Sequence, residues 1–316
     1  MRPEDRDLAL QLHAGLCSFS LQTRPLPGIQ TIANREAFVE QLVESIRRIK
    51  YITVIKLQNH SSLRADPLSE LFDPLKAAVL FQRQGQIDEA FWLVFLSIHF
   101  GKATRSGWRF VRDIYGCLGS GTPWTWERTS LHPDHFIQWL ADQYTVLTGD
   151  GIARHFGNHR KYETLKPSSR RSTGVVVESY VNWVHPPRTH QMLVQEAEEQ
   201  VGGDPRAMFD HLYRSMEEVI SFGRTAKFDY LTMIGKLGLA SIEPGSTYMQ
   251  GATGPVKGAR LLFGGSTNAA LGRPILDEWL VELERDLQVG TQGMQVLEDA
   301  LCNWQKSPGV FRRFRG

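Results

Sequence analysis

A carboxylate that follows a glycine-rich turn is the most chemically suggestive feature of this sequence. The stretch Tyr230–Trp279 reads as a helix, a glycine-rich hairpin, a second helix, and then Asp277 on the first turn of a further helix. Gly251, Gly254, Gly258, Gly264 and Gly265 surround the turn, and glycine lets backbone take positive φ or approach a ligand closely. Such a hairpin presents bare amides at a helix N-terminus, where the orphan N–H groups and the dipole favour an anion such as a phosphate. The plainer alternative is an ordinary turn between two helices, with Asp277 serving as a helix cap.

The elements that must hold these residues are mostly helical. AFVEQLVESIRRI at 37–49 puts Phe38, Leu42, Val43 and Ile46 on one stripe, the pattern of a half-buried helix. YITVIKL at 51–57 suits either a strand, by its β-branched content, or a continuation of that helix. Asp73-Pro74 opens a helix through Phe81, and Asp88-Glu89 lead into the apolar AFWLVFLSIHF at 90–100, the expected central buried helix. Further helices are predicted at 108–115, 132–147 and 175–183, and one long helix over 204–223, which opens with Asp-Pro and closes with Gly. The prolines of TRPLPGIQT suggest that residues 1–30 form an N-terminal arm. The predicted class is all-α. Its expected domains are 1–30 as the arm, 31–200 as a helical lobe, and 201–316 as a hairpin lobe with C-terminal helices.

At 316 residues the chain is long enough for one large core or two lobes. Its 41% apolar and 22% charged residues argue against global disorder. A net charge of only +2 does not announce a nucleic-acid binder, but basic residues cluster. Arg160, Lys161, Lys166, Arg170 and Arg171 share one segment, and Arg312, Arg313 and Arg315 close the chain; such clusters neutralise phosphates or form solvated basic loops. Cys17, Cys117 and Cys302 are an odd, widely spaced set, which argues against disulfide scaffolding and a zinc cluster. CxxC spacing is missing, and no metal site is expected. The N-terminus lacks a signal-peptide pattern, and the longest apolar run is too short for a bilayer. The expected setting is a reducing cytoplasm without a membrane partner.

Two resemblances build on these residues. The hairpin stretch resembles the helix-hairpin-helix DNA glycosylase superfamily: Thr253-Gly254-Pro255 matches the hairpin, and Pro274-Ile275-Leu276-Asp277 matches the segment that carries the catalytic aspartate in the MutY-like branch. The interval between them is slightly longer here, and the position of the Schiff-base lysine in bifunctional members falls on Val256, beside Lys257. More broadly, the chain resembles the alpha-glutamyl/putrescinyl thymine pyrophosphorylase-like family. The matching segments are residues 72–102, FGNHRKYETL at 156–165, SYVNWV at 179–184, the hairpin through PILDEWL, and LEDALCNWQK at 297–306. The resemblance implies a two-lobed helical fold with a cleft, acting on a modified pyrimidine in DNA. The expected protein is a monomer that requires no cofactor, with a monovalent cation at the hairpin as an option.

By that resemblance Asp277 is the catalytic carboxylate, stabilising the oxocarbenium-like sugar formed as a base leaves. Gly251, Thr253, Gly254, Lys257, Arg160, Lys161 and Arg273 would contact the DNA backbone. A flipped base needs an aromatic-walled pocket with a few polar groups, for which Phe156, Asn158, His159, Tyr162 and Tyr248 are the candidates. His99 and Lys102 with Trp108 form a second candidate wall, while Glu243 precedes the hairpin. Trp279 and Trp304 suit the core, and Arg273 suits either a phosphate or Glu278. The missing lysine favours a monofunctional glycosylase, with Lys257 keeping a lyase open. Three functions are weighed: excision of a bulky modified pyrimidine from phage DNA in antiphage defence, pyrophosphate-releasing transfer of an amine onto an activated hydroxymethyl-pyrimidine, and non-catalytic reading of modified DNA.

Overall fold

Start signals in the sequence become real caps. Asp73 accepts from the amides of Leu75 and Lys76, both at 3.2 Å, with Pro74 as the first helical residue. Asp204 caps the helix after it in the same way, and Thr189 caps a helix that the sequence reading did not anticipate; each satisfies a first-turn amide that has no intrahelical partner.

A computed structural model describes residues 2–160 and 162–313; Lys161 and the side chain of Asn158 lie outside the described set. Among the described residues the regular elements are helical, with two isolated bridges, Ala103 to Gly107 and Thr164 to Ser172. In chain order these are α1 (Arg6–Gln22), α2 (Ile32–Leu57), α3 (Pro74–Arg83), α4 (Ile87–Phe100) and α5 (Arg109–Tyr115). There follow α6 (Trp126–Leu131), α7 (Pro133–Asp142), α8 (Tyr144–Gly149), α9 (Thr173–Val184) and α10 (His190–Val201). The last are α11 (Pro205–Ser215), α12 (Arg224–Leu237), α13 (Gly254–Gly264), α14 (Arg273–Leu287) and α15 (Gly293–Trp304). The fold is all-α, and among the described residues no helix is long and apolar enough to cross a membrane.

One open alternative is resolved and two local expectations turn out differently. YITVIKL continues α2 to Leu57, because a helix satisfies its own backbone whereas a strand needs a neighbour. The 132–147 pattern breaks at Gln143 into α7 and α8. The long helix over 204–223 stops at Ser215, where the chain turns to bury Val219 and Phe222, and the Ile220 amide donates to Ser179 Oγ at 2.9 Å.

The chain forms two compact units: the chain up to Thr53 with the chain from Glu243, and Val54–Ile242. These boundaries differ from those at residues 30 and 200. The expected N-terminal arm is instead the 17-residue helix α1, and Leu12, Leu16 and Phe19 are buried in the first unit's core with Leu276, Leu280 and Leu283 of α14. The prolines of TRPLPGIQT end α1 but do not detach it. Arg24, at that break, pairs with Glu282 at 2.9 Å and lies 4.0 Å over the Trp279 ring, while Trp304 is fully buried against Phe38 at 4.9 Å.

In the first unit α13 and α15 touch backbone to backbone. A Cβ on Gly258 would lie 2.3 Å from the Leu301 carbonyl oxygen, and one on Gly254 would lie 2.7 Å from Cys302 Sγ. Both hairpin-side glycines therefore serve helix packing. In the second unit the core is built on α4, whose residues from Glu89 to Phe100 are all buried. Gly258→Ala is expected to destabilise the protein by about 1–3 kcal/mol through overpacking, read as a lower denaturant midpoint, whereas Gly149→Ala, whose Cβ meets nothing within 4 Å, should leave the midpoint unchanged.

Candidate functional site

In the first unit Asp277 is the fifth residue of α14, not part of its first turn, which contains no acidic residue. Its support comes instead from the segment before the hairpin. Oδ1 accepts from Thr247 Oγ1 at 2.6 Å and from Ser246 Oγ at 3.3 Å, and Oδ2 accepts from the Met249 amide at 3.0 Å. Between these donors Tyr248 takes φ 49°, a left-handed conformation that costs roughly 1–2 kcal/mol for a residue with a side chain. Hydrogen bonds to a charged acceptor are each worth about 1.5–3 kcal/mol, enough to hold that conformation. A carboxylate has about four acceptor sites, and these donors take three of them. Asp277 is half-buried, as is Tyr248.

The hairpin continues from this point. Gly251 takes φ 79° and is exposed; Thr253 is exposed and caps α13 without a side-chain bond. Gly254 opens α13, Val256 is buried, and Lys257 stands exposed one residue later. The first turn of α13 contains no acidic residue, which keeps the positive end of its dipole unneutralised from within. Arg273 is exposed at the start of α14. Tyr248, the hairpin residues, Lys257, Arg273 and Asp277 thus belong to one unit, and Asp277 is wired directly to the segment that enters the hairpin.

The FGNHRKYE segment lies in the second unit and is bound to the C-terminal end of α4. Gly157 donates its amide to the Phe100 carbonyl at 2.7 Å. Arg160 Nε donates to the Ile98 carbonyl at 2.5 Å, and its Nη2 pairs with Asp229 at 2.9 Å. At 8% exposure Arg160 is a buried cap of α4, so it is not placed as the expected phosphate contact. Phe156 is half-buried among Phe100, Phe110 and His99, with centroids 5.5, 4.8 and 6.0 Å away. His159 and Tyr162 are exposed. Lys161 and the Asn158 side chain, both named from the sequence, lie outside the described residues.

Beneath this segment His99 is fully enclosed. Its Nε2 lies 3.0 Å from Thr173 Oγ1, and its Nδ1 faces Glu163 Oε2 at 3.9 Å. Burial and the nearby Arg160 charge push the His99 imidazole down to about 3, so it is neutral. Burial also pushes the Glu163 carboxyl up to about 7, against the pull of Arg160 and Arg171. Lys102 lies 5.8 Å over the Trp108 ring. Sequence reasoning passed over Glu163 although it sits in the FGNHRKYETL segment; nothing in its spacing announced a long-range histidine partner.

A second polar construction, also unforeseen, sits at the other end of α4. Asp88 accepts from the His190 ring at 2.6 Å and from the His190 amide at 2.7 Å; His190 Nε2 meets Tyr180 Oη at 2.7 Å, and Tyr180 meets Tyr230 at 2.6 Å. Burial would raise the Asp88 carboxyl, but the His190 bonds hold it below its ordinary value, while burial pushes His190 down and both tyrosines up. Next to Asp88, Glu89 takes the Tyr115 hydroxyl at 2.6 Å and the Trp126 amide at 2.7 Å, and burial pushes it up to about 6. Both carboxylates line a cavity of about 300 Å³ with Phe81, Tyr115, Trp126 and Glu127. Among the described residues one group, His132, Asp134 and His135, brings potential metal ligands within 4.8 Å of one another, all exposed.

A family model for alpha-glutamyl/putrescinyl thymine pyrophosphorylase clade 3 matches residues 33–316, and the chain belongs to that family. The family is named for enzymes of modified thymine. No curated protein and no solved structure matches the chain.

If the Asp277 carboxylate organises residues 246–249, Thr247→Val should cost about 1.5–3 kcal/mol, the worth of a hydrogen bond to a charged group, while Thr247→Ser keeps most of the stability. Equal denaturant midpoints for wild type and Thr247→Val would remove that structural role.

Proposed function

We propose that this member of the family is a monofunctional DNA glycosylase that removes a bulky modified pyrimidine from phage DNA as a cytoplasmic antiphage defence. The observation that carries the reading is the fixed, half-buried Asp277 carboxylate tied to the entrance of a glycine-rich hairpin. A carboxylate held by preorganised donors stabilises positive charge on a sugar without reorganising during the reaction. The N-glycosidic bond breaks, water adds to the sugar carbon, and the base leaves with a proton.

In this reading Gly251, Thr253, Gly254, Lys257 and Arg273 meet DNA phosphates, and Tyr248 stands next to the chemistry. His159 and Tyr162, exposed in the other unit, contact the DNA as well. Burial of Val256 at the matched lysine position supports simple base removal, and exposure of Lys257 keeps its amine beyond the packed face of α13. No cofactor is required, although a monovalent cation at the hairpin is compatible with the reading.

A second reading has its own support. The family name itself favours transfer of an amine onto an activated thymine-type base with release of pyrophosphate. Incubating the protein with unmodified and naturally modified phage DNA, then identifying small products by mass spectrometry, separates the two. Excision yields a free base and alkali-labile abasic sites, whereas transfer yields pyrophosphate and a heavier base. Asp277→Asn is expected to lower base release by on the order of a hundredfold or more, the usual loss when a charge-stabilising group is removed, with DNA binding retained; full activity of that variant would overturn the mechanism.

A further inference from the structure

Among the described residues, His99 Nδ1 and Glu163 Oε2 are both buried without a hydrogen-bond partner, and they face each other at 3.9 Å. Buried polar atoms are nearly always paired, so this gap needs a physical account. The hydrogen-bond order around His99 supplies one. The Thr173 hydroxyl donates to the Thr164 carbonyl at 3.3 Å, so His99 Nε2 carries its hydrogen toward Thr173 and Nδ1 presents a bare lone pair. An ionised Glu163 would set a second acceptor against that lone pair. A protonated Glu163 would instead offer it a donor after a small shift of either side chain.

We propose that Glu163 and His99 form a proton-operated latch that seats the 156–165 segment on the C-terminal end of α4 when Glu163 is protonated and loosens it when Glu163 ionises. The segment is also fastened by the Gly157 amide on Phe100, by Arg160 on Ile98 and Asp229, and by the Thr173 amide on the Thr164 carbonyl at 2.8 Å. Among the described residues, the charged and titratable groups facing Glu163 are His99 from α4, Arg160 from its own segment, and Arg171 from the turn before α9; Thr173, beside His99, is uncharged. Asp229 of α12 offsets Arg160.

The sign follows from the proton balance. Glu163 is held at about 7 in the seated segment against an ordinary 4.5, so the seated form binds the proton more tightly. Seating is strongest at low pH, weakens as pH rises from about 4.5 to about 7, and stays weak above that. Consequences for DNA rest on the function proposed above, in which His159 and Tyr162 contact it; the latch itself does not.

Hydrogen exchange of peptides covering residues 153–165, corrected for the intrinsic pH dependence of exchange, tests the latch in the full chain. Opening should rise by more than about tenfold between pH 5 and pH 7.5, since each unit within the window allows up to a factor of ten. Glu163→Gln, whose amide still donates to Nδ1, should keep the segment closed at pH 7.5. A pH-independent wild type, or a variant that follows the wild-type curve, overturns the proposal. If Glu163→Gln fails to fold, carbon-detected titration of the wild-type glutamate carboxyls decides: Glu89 accounts for one raised carboxyl, and no second one titrating well above 4.5 overturns the proposal. Base release absent alongside an intact latch would instead count against the glycosylase reading.

Discussion

Burying α4 from end to end is the constraint on which the second unit depends. Its interior side chains, Trp92, Phe95 and Phe100 among them, are fully enclosed, and each contributes roughly 1.5–3 kcal/mol on leaving water. The same burial takes the polar groups at both ends of the helix out of water, where each unsatisfied one costs about 1–3 kcal/mol. The surrounding helices answer at both ends. Asp88 and Glu89 are met by His190, Tyr115 and the Trp126 amide, and the Ile98 and Phe100 carbonyls by Arg160 and the Gly157 amide. Arg160 is therefore spent on capping a helix, which explains why a residue from a basic cluster is not at the surface.

The first unit is governed by close approach. Gly258 lets α13 lie against the Leu301 backbone, and this fixes where the hairpin amides stand. Asp277 then ties the preceding segment, including the left-handed Tyr248, to α14. Rigid support of this kind is what a charge-stabilising carboxylate requires, and it is also what a purely structural carboxylate would show. Family membership adds a modified-thymine context.

Much of the architecture was legible in the sequence because it rests on local chemistry. Asp73-Pro74, Asp204-Pro205 and the apolar run at 90–100 announce their helices through caps, proline geometry and burial pattern. The continuation of α2 through YITVIKL, the break at Gln143 and the stop at Ser215 were less legible. Each depends on what the chain packs against, and Val219 and Phe222 turn inward for reasons remote in sequence. The proline-rich break after α1 looked like the end of an arm, because proline reports local geometry and says nothing about the apolar face that α1 buries.

For the site, the sequence by itself determined the residue types and their order: glycines at a turn, a threonine and a lysine at its exit, an aspartate in the next helix. Only the tertiary structure decided which of them are free to act. It engaged Asp277 with three donors, buried Arg160 beneath its own segment, and set Glu163 against His99 across 64 positions of chain. The reason is that hydrogen bonding and burial act through space, so a side chain's charge state and remaining valence are fixed by distant partners that spacing along the chain does not reveal.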